Sequence, residues 1–128
     1  ANSSKKAGEP ISISAEIIWS GEPSFAMGGV MGKGRPVSLG PTAIIQVNKV
    51  LIWLISANIS AINLDPFEQF GFDHKDFDIV FLLSKTHFRA IWETESERII
   101  IVDTPDWGPG LLDTLPYQNA RKGVFPIT

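Results

Sequence analysis

The sequence predicts an α+β domain with a mainly β core, a mixed or antiparallel sheet carrying two or three short helices. Three observations lead there. Ile11, Ile13, Ala15 and Ile17 alternate with Ser12, Ser14 and Glu16, the period of a half-buried strand. Two apolar runs, Ala43–Val47 and Val50–Ala57, flank Asn48-Lys49, a two-residue link suited to a tight hairpin because asparagine tolerates positive φ. Two further short apolar runs, Asp78–Leu83 and Arg98–Val102, have the length and composition of buried strands.

The elements follow in order. A strand over Ile11–Ile17 leads into Gly21–Gly34, where five glycines and Pro23 predict a flexible loop. Pro36–Leu39 adds a short strand before the hairpin. Val50–Ile55 shows no alternation, so both of its faces are expected to be covered and it is the expected centre of the sheet. Asp65 is placed to cap a short helix over Pro66–Phe70, with Pro66 at its first position and Gly71 closing it. Asp78–Leu83 is the next strand. Phe88, Ile91 and Trp92 recur at i, i+3 and i+4, which predicts a short helix over Thr86–Trp92. Arg98–Val102 is a last strand, ended by Asp103-Thr104-Pro105, and the glycine- and proline-rich remainder reads as irregular cover for the core. Residues 1–10 are expected to be a linker or expression remnant, and 11–128 a single domain from a longer chain.

Composition narrows the function classes. The 128 residues carry a net charge of −3 with no lysine/arginine block longer than a pair, which argues against general binding to nucleic acid or anionic membrane. There is no cysteine, so disulfides, thiolate zinc sites and thiol nucleophiles are all excluded. That absence leans towards a reducing compartment, and a cytoplasmic location is the expectation. The longest apolar run, Val50–Ile55, falls far short of the ~20 residues of a membrane-spanning helix.

Most apparent chemical motifs fail on spacing. Gly32-Lys33 is followed by Gly34, and Met27 stands where a P-loop needs its first glycine. A catalytic zinc site takes three protein ligands, usually with two or three imidazoles, and the chain holds only His74 and His87. His74 lies in the acidic turn Asp73–Asp78, expected to be solvated surface. Ser84, His87 and Asp103 could be imagined as nucleophile, base and orienter, but the serine has no nucleophile-elbow pattern around it. What remains is Ser84-Lys85-Thr86-His87-Phe88-Arg89-Ala90. It gathers a hydroxyl, a cation, an imidazole and a guanidinium at a strand-to-helix junction, where a helix start favours anions and arginine suits a carboxylate. The competing reading is a solvated Lys85 and Arg89 with His87 as a helix cap.

The same segment resembles the C-terminal domain of the MlrC family, the microcystinase-type metallopeptidases. The family pattern there is roughly Lys-Ser-x-x-His-Phe-Arg-Ala after a hydrophobic strand, and Ser84, His87, Phe88, Arg89 and Ala90 stand in register. Leu39–Ala43, Asp65-Pro66-Phe67 leading to Gly71, Val102–Pro105, Leu115-Pro116-Tyr117 and Phe125-Pro126 resemble further family segments in the right order. Leu83 departs from the pattern by standing at the family's lysine, with Lys85 two residues later.

The resemblance implies that this domain is one part of a zinc-dependent peptidase or amidohydrolase. It further implies that zinc and the catalytic carboxylate belong to a larger N-terminal domain, with no catalytic or metal-binding residue in this chain. Ser84, Lys85, His87 and Arg89 would then bind a peptide-like or carboxylate-bearing small substrate, and the isolated chain would be inactive. The implied partners are that N-terminal domain, the substrate and a possible second copy. The alternatives are a non-catalytic ligand-binding or oligomerisation module, and a structural domain with Trp19, Trp53, Trp92 or Trp107 partly in an interface.

Overall fold

The structure, a computed structural model, describes residues 9–29, 32–59, 63–84, 86–102, 115–121 and 123–124. The chain divides into two compact units, Ile11–Arg98 and a second made of Ala1–Pro10 with Ile99–Thr128. All described helices and strands lie in the first: β1 (Glu16–Gly21), β2 (Ser24–Ala26), β3 (Pro36–Ser38), β4 (Thr42–Val47), β5 (Val50–Ile55), α1 (Asp65–Gln69), a 3₁₀ turn (His74–Asp76) and α2 (Arg89–Glu95). The fold is α+β and mainly β, with antiparallel pairing throughout both sheets. No helix among the described residues is long and apolar enough to cross a membrane.

The larger sheet has the order β1-β4-β5. Its β4–β5 hairpin turns at Asn48, which takes a left-handed φ of 54°, and the Gln46 side chain donates to the Asn48 carbonyl at 2.9 Å. The register Val47↔Val50 then carries Ile44 opposite Trp53, and β1 adds Trp19 on the other side of Ile44. The row Trp19–Ile44–Trp53 is the base of the core: Ile44 is fully buried, Trp19 meets Phe70, and Trp53 meets Phe67, Phe72 and Phe77.

The central strand is therefore β4, not β5. Among the described residues Val50–Ile55 is an edge strand, with Val50, Leu54 and Ile55 exposed. Its apolar run is continuous although only Leu51, Ile52 and Trp53 are partly covered and the two ends of the strand are exposed. The first strand also starts later than the Ile11–Ile17 alternation suggests. Regular pairing begins at Glu16, a bulge between Ile17 and Trp19 shifts the register, and residues 11–15 are exposed.

Gly21–Gly34 is not simply a flexible loop. β2 pairs with β3 in a second, two-stranded sheet. The intervening turn is closed by Met27 N–H to Arg35 O at 2.9 Å and Gly34 N–H to Met27 O at 2.7 Å, with Gly32 and Gly34 both at positive φ. Among the described residues Asp78–Leu83 and Arg98–Val102 carry no strand pairing, and Ile79, Phe81, Leu83, Ile100, Ile101 and Val102 are exposed. Their β-rich composition records a preference for pairing that the described residues do not satisfy. Asp103-Thr104-Pro105 lies outside the described residues.

The position of Ile44 sets a stability test. Ile44→Ala removes a fully buried side chain and leaves a cavity, at a cost of about 2–5 kcal/mol. Leu54→Ala, on the edge strand with 49% of the residue exposed, costs about 1 kcal/mol or less. Urea denaturation of the two variants checks the order. Equal losses would place the two strands wrongly.

Candidate functional site

Two local structures position the segment singled out by the sequence. The first is α1 with the turn behind it. Leu64, not Asp65, occupies the cap position and makes no side-chain cap bond, while Asp65 lies inside the first turn with Pro66. The buried Asp65 carboxylate reaches across 37 residues to the Gly28 N–H, 3.0 Å from each oxygen. Gly28 admits no side chain there, because a Cβ would sit 2.8 Å from Asp65 Oδ1. At Gly29 a Cβ would meet Asn63 at 3.1 Å and Ile91 of α2 at 3.4 Å. The glycine turn thus backs onto the helix that carries the candidate residues. Asn63 is buried, and its Nδ2 has no hydrogen-bond partner among the described residues.

The second is the 3₁₀ turn. Asp73 caps it by accepting from Lys75 N–H at 2.9 Å. His74 is not solvated surface: its side chain is 11% exposed and lies edge-on to Phe67 and Trp92. Its Nε2 stands 3.2 Å from Glu95 Oε2 and its Nδ1 3.3 Å from Asp73 Oδ1, and Lys75 Nζ lies 3.5 Å from the same Glu95 oxygen. The last residue of α2 is thereby tied to the turn ahead of it. Nothing in the sequence signalled this pairing, since His74 and Glu95 are 21 residues apart with no shared periodicity. The Asp65–Gly28 contact was equally silent.

Between these supports runs the candidate segment. Ser84 is half-buried at the end of an extended stretch, and Lys85 lies outside the described residues. Thr86–Phe88 form a turn, and α2 begins only at Arg89, three residues later than the expected Thr86. His87 is therefore not a helix cap: the cap position is Phe88, without a side-chain cap bond. Phe88 and Trp92 are buried, and both fasten α2 to the core. His87 is exposed. Arg89 Nη1 donates to Glu93 Oε1 at 2.7 Å, one helical turn on, and its guanidinium stands 5.4 Å from the Phe88 ring centre. The Arg89 N–H is already spent on the Thr86 carbonyl at 3.2 Å, so it is not an open anion donor.

No hydrogen bond or ion pair among the described residues joins Ser84, His87 and Arg89 to one another. Asp103, the third member of the Ser84–His87–Asp103 trio, lies outside the described residues. Of the four tryptophans, Trp19, Trp53 and Trp92 pack against aromatic side chains of the same chain, and Trp107 lies outside the described residues.

Among the described residues no group of three or more histidine, aspartate or glutamate side chains is arranged to hold a metal ion. The Asp73–His74–Glu95 cluster comes nearest, but its imidazole nitrogens face carboxylate oxygens at hydrogen-bond distance instead of sharing a common point with them. The described donor set does not fit a zinc ion. A shallow groove of about 290 Å³ at the far end of the hairpin, lined by Pro41, Thr42, Ala43, Leu54, Ile55 and Ser56, carries no titratable group.

The geometry separates anchors from exposed groups. Phe88→Ala should cost about 3–5 kcal/mol and Asp65→Ala about 1.5–3 kcal/mol through the lost bond to Gly28, whereas His87→Ala should leave the melting temperature unchanged. Thermal melts of the three variants check this. A destabilised His87→Ala would make the imidazole part of the scaffold.

A family model described as MlrC C-terminus matches residues 1–119. Comparison with curated proteins and with solved structures gives no match.

Proposed function

The chain belongs to the MlrC C-terminus family, and on that premise we propose that it forms the substrate-binding wall of an amide-hydrolase cleft. The observation that supports this is the division of roles along residues 86–95. Phe88 and Trp92 are buried and hold α2, while His87 and Arg89 are exposed. The two polar side chains are not needed to fix the helix, and that leaves them free to serve a ligand.

Each has a role suited to its chemistry. The Arg89–Glu93 pair is a solvent-exposed i,i+4 contact, of a kind worth only about 0.3–0.5 kcal/mol. A substrate carboxylate displaces Glu93 at small cost and gains two parallel N–H donors in return. The Phe88 ring limits how the guanidinium can swing. His87 supplies one N–H donor when neutral and two when protonated, suited to an amide or carboxylate oxygen. Ser84 adds a hydroxyl at the end of the extended stretch, and Lys85 adds a cation beside it in sequence.

These are binding groups. In this reading zinc and the groups that activate water belong to an N-terminal catalytic domain, which closes the other side of the cleft. The substrate class is a peptide-like or carboxylate-bearing small amide, hydrolysed in the cytoplasm.

The test uses the full-length protein. His87→Ala and Arg89→Ala should each lower kcat/KM for an amide substrate at least about tenfold, roughly 1.4 kcal/mol of lost transition-state stabilisation, with unchanged melting temperature and unchanged zinc content. Normal specific activity in both variants would remove this segment from the cleft.

A further inference from the structure

Three side chains on one face of α2 meet the rest of the fold, and they differ in kind. Phe88, Trp92 and Glu95 stand at i, i+4 and i+7, so they share a face. Phe88 and Trp92 are buried, and the Trp92 ring lies 5.7 Å from Phe67 and 5.6 Å from His74, edge-on to both. Hydrophobic attraction is non-directional, so by itself it leaves a seven-residue helix room to slide along its bed. Glu95 closes the same face with a carboxylate. Its Oε2 stands 3.2 Å from His74 Nε2 and 3.5 Å from Lys75 Nζ. A hydrogen bond weakens steeply away from its preferred distance and angle, so this contact fixes where the helix stops along its axis.

The imidazole on the other side of that contact is itself held firmly. The His74 side chain is 11% exposed, and its Nδ1 lies 3.3 Å from Asp73 Oδ1, the same oxygen that accepts the Lys75 N–H. A phenyl ring would pack against Phe67 and Trp92 as well as the imidazole does, but would offer Glu95 no nitrogen. Burial alone therefore does not call for a histidine here, nor for a carboxylate at the end of an aromatic face, since apolar replacements of partly buried ion pairs are often no less stable. Residues that depart from the locally stable choice are expected where a site needs them. The side-chain contacts of Arg89, to Glu93 and to the Phe88 ring, lie on or next to α2 and travel with it. Six residues, about 9 Å of helix, separate Glu95 from Arg89, so a shift at one end of α2 is a shift at the other.

We propose that His74 and Glu95 are positioning residues for Arg89: their bond sets the place of α2 and with it the point in space at which the guanidinium meets a substrate carboxylate. This rests on the binding role proposed for Arg89.

The test is an NMR titration of the full-length protein with N-acetylglycine, a small amide that carries a carboxylate. His74→Phe, which keeps the ring packing, and Glu95→Ala should each weaken binding at least about tenfold, because a small misplacement of a binding group is costly. Glu95→Gln keeps an oxygen for Nε2–H and should recover most of the affinity that Glu95→Ala loses. In an Arg89→Ala background, His74→Phe and Glu95→Ala should weaken binding no further, since they act through the guanidinium. A purely structural role would instead add its full effect in that background. No binding to the unmodified protein, or undiminished binding to Arg89→Ala, would remove the role of Arg89 and this inference with it. Weakened binding in Arg89→Ala together with normal binding in His74→Phe and Glu95→Ala, or with additive losses, would leave the role of Arg89 standing and overturn the positioning alone.

Discussion

One phenylalanine joins the sheet to everything that carries the candidate residues. The Phe67 ring, on α1, lies 5.5 Å from Trp53 of the sheet, 5.7 Å from Trp92 of α2, 5.9 Å from Phe77 and 6.4 Å from His74. Most of these contacts are edge-to-face, the arrangement that sets the positive rim of one ring on the negative face of another. Trp53 and Trp92 bury their indole N–H groups with no hydrogen-bond partner among the described residues. Ring packing, and not polar pairing, holds this centre. Among the described rings Phe67 is the one that contacts both Trp53 of the sheet row and Trp92 of α2.

The placement of α2 follows from this. Its inner positions rest on the aromatic centre through Trp92 and Phe88, and its last residue is held through Glu95 by His74 and Lys75. A seven-residue helix is too short to be stable by itself, so its orientation is imposed by these contacts. That imposed orientation is what leaves Arg89 and His87 on the exposed side. The side chains that face solvent are as much a product of the packing as those that face the core.

What the sequence made legible was local. Asn48-Lys49 marked the hairpin, Pro66 and Gly71 marked α1, and the spacing of Phe88, Ile91 and Trp92 marked α2, because each rests on φ preferences or on helical period within a few residues. The order of strands was not legible. Val50–Ile55 looks central by hydrophobicity, yet β4, with its polar Thr42 and Gln46, takes the middle. Position in a sheet depends on which strand arrives beside which, and a one-dimensional pattern does not contain that. Asp65 looked like a cap by type and position, but its carboxylate reaches a glycine 37 residues earlier. His74 looked solvated because its neighbours in sequence are charged, whereas its neighbours in space are aromatic. In the candidate segment the family pattern singled out His87 and Arg89. Their exposure, and the ion pair that occupies Arg89, needed coordinates.

The Asp65–Gly28 bond also bears on the order in which the chain folds. The β4–β5 turn closes over two residues and brings Val47 to Val50, whereas the Asp65 carboxylate meets Gly28 only after a 37-residue loop has closed. Loop closure costs more entropy as the loop lengthens, so a contact of that span forms after the structure around it has gathered. On this ordering the hairpin closes before the carboxylate latch. In stopped-flow kinetics, Asp65→Ala should leave the folding rate near that of the unmodified chain and place its whole stability loss in faster unfolding. The latch governs how long the fold lasts, and has little influence on how quickly it is reached.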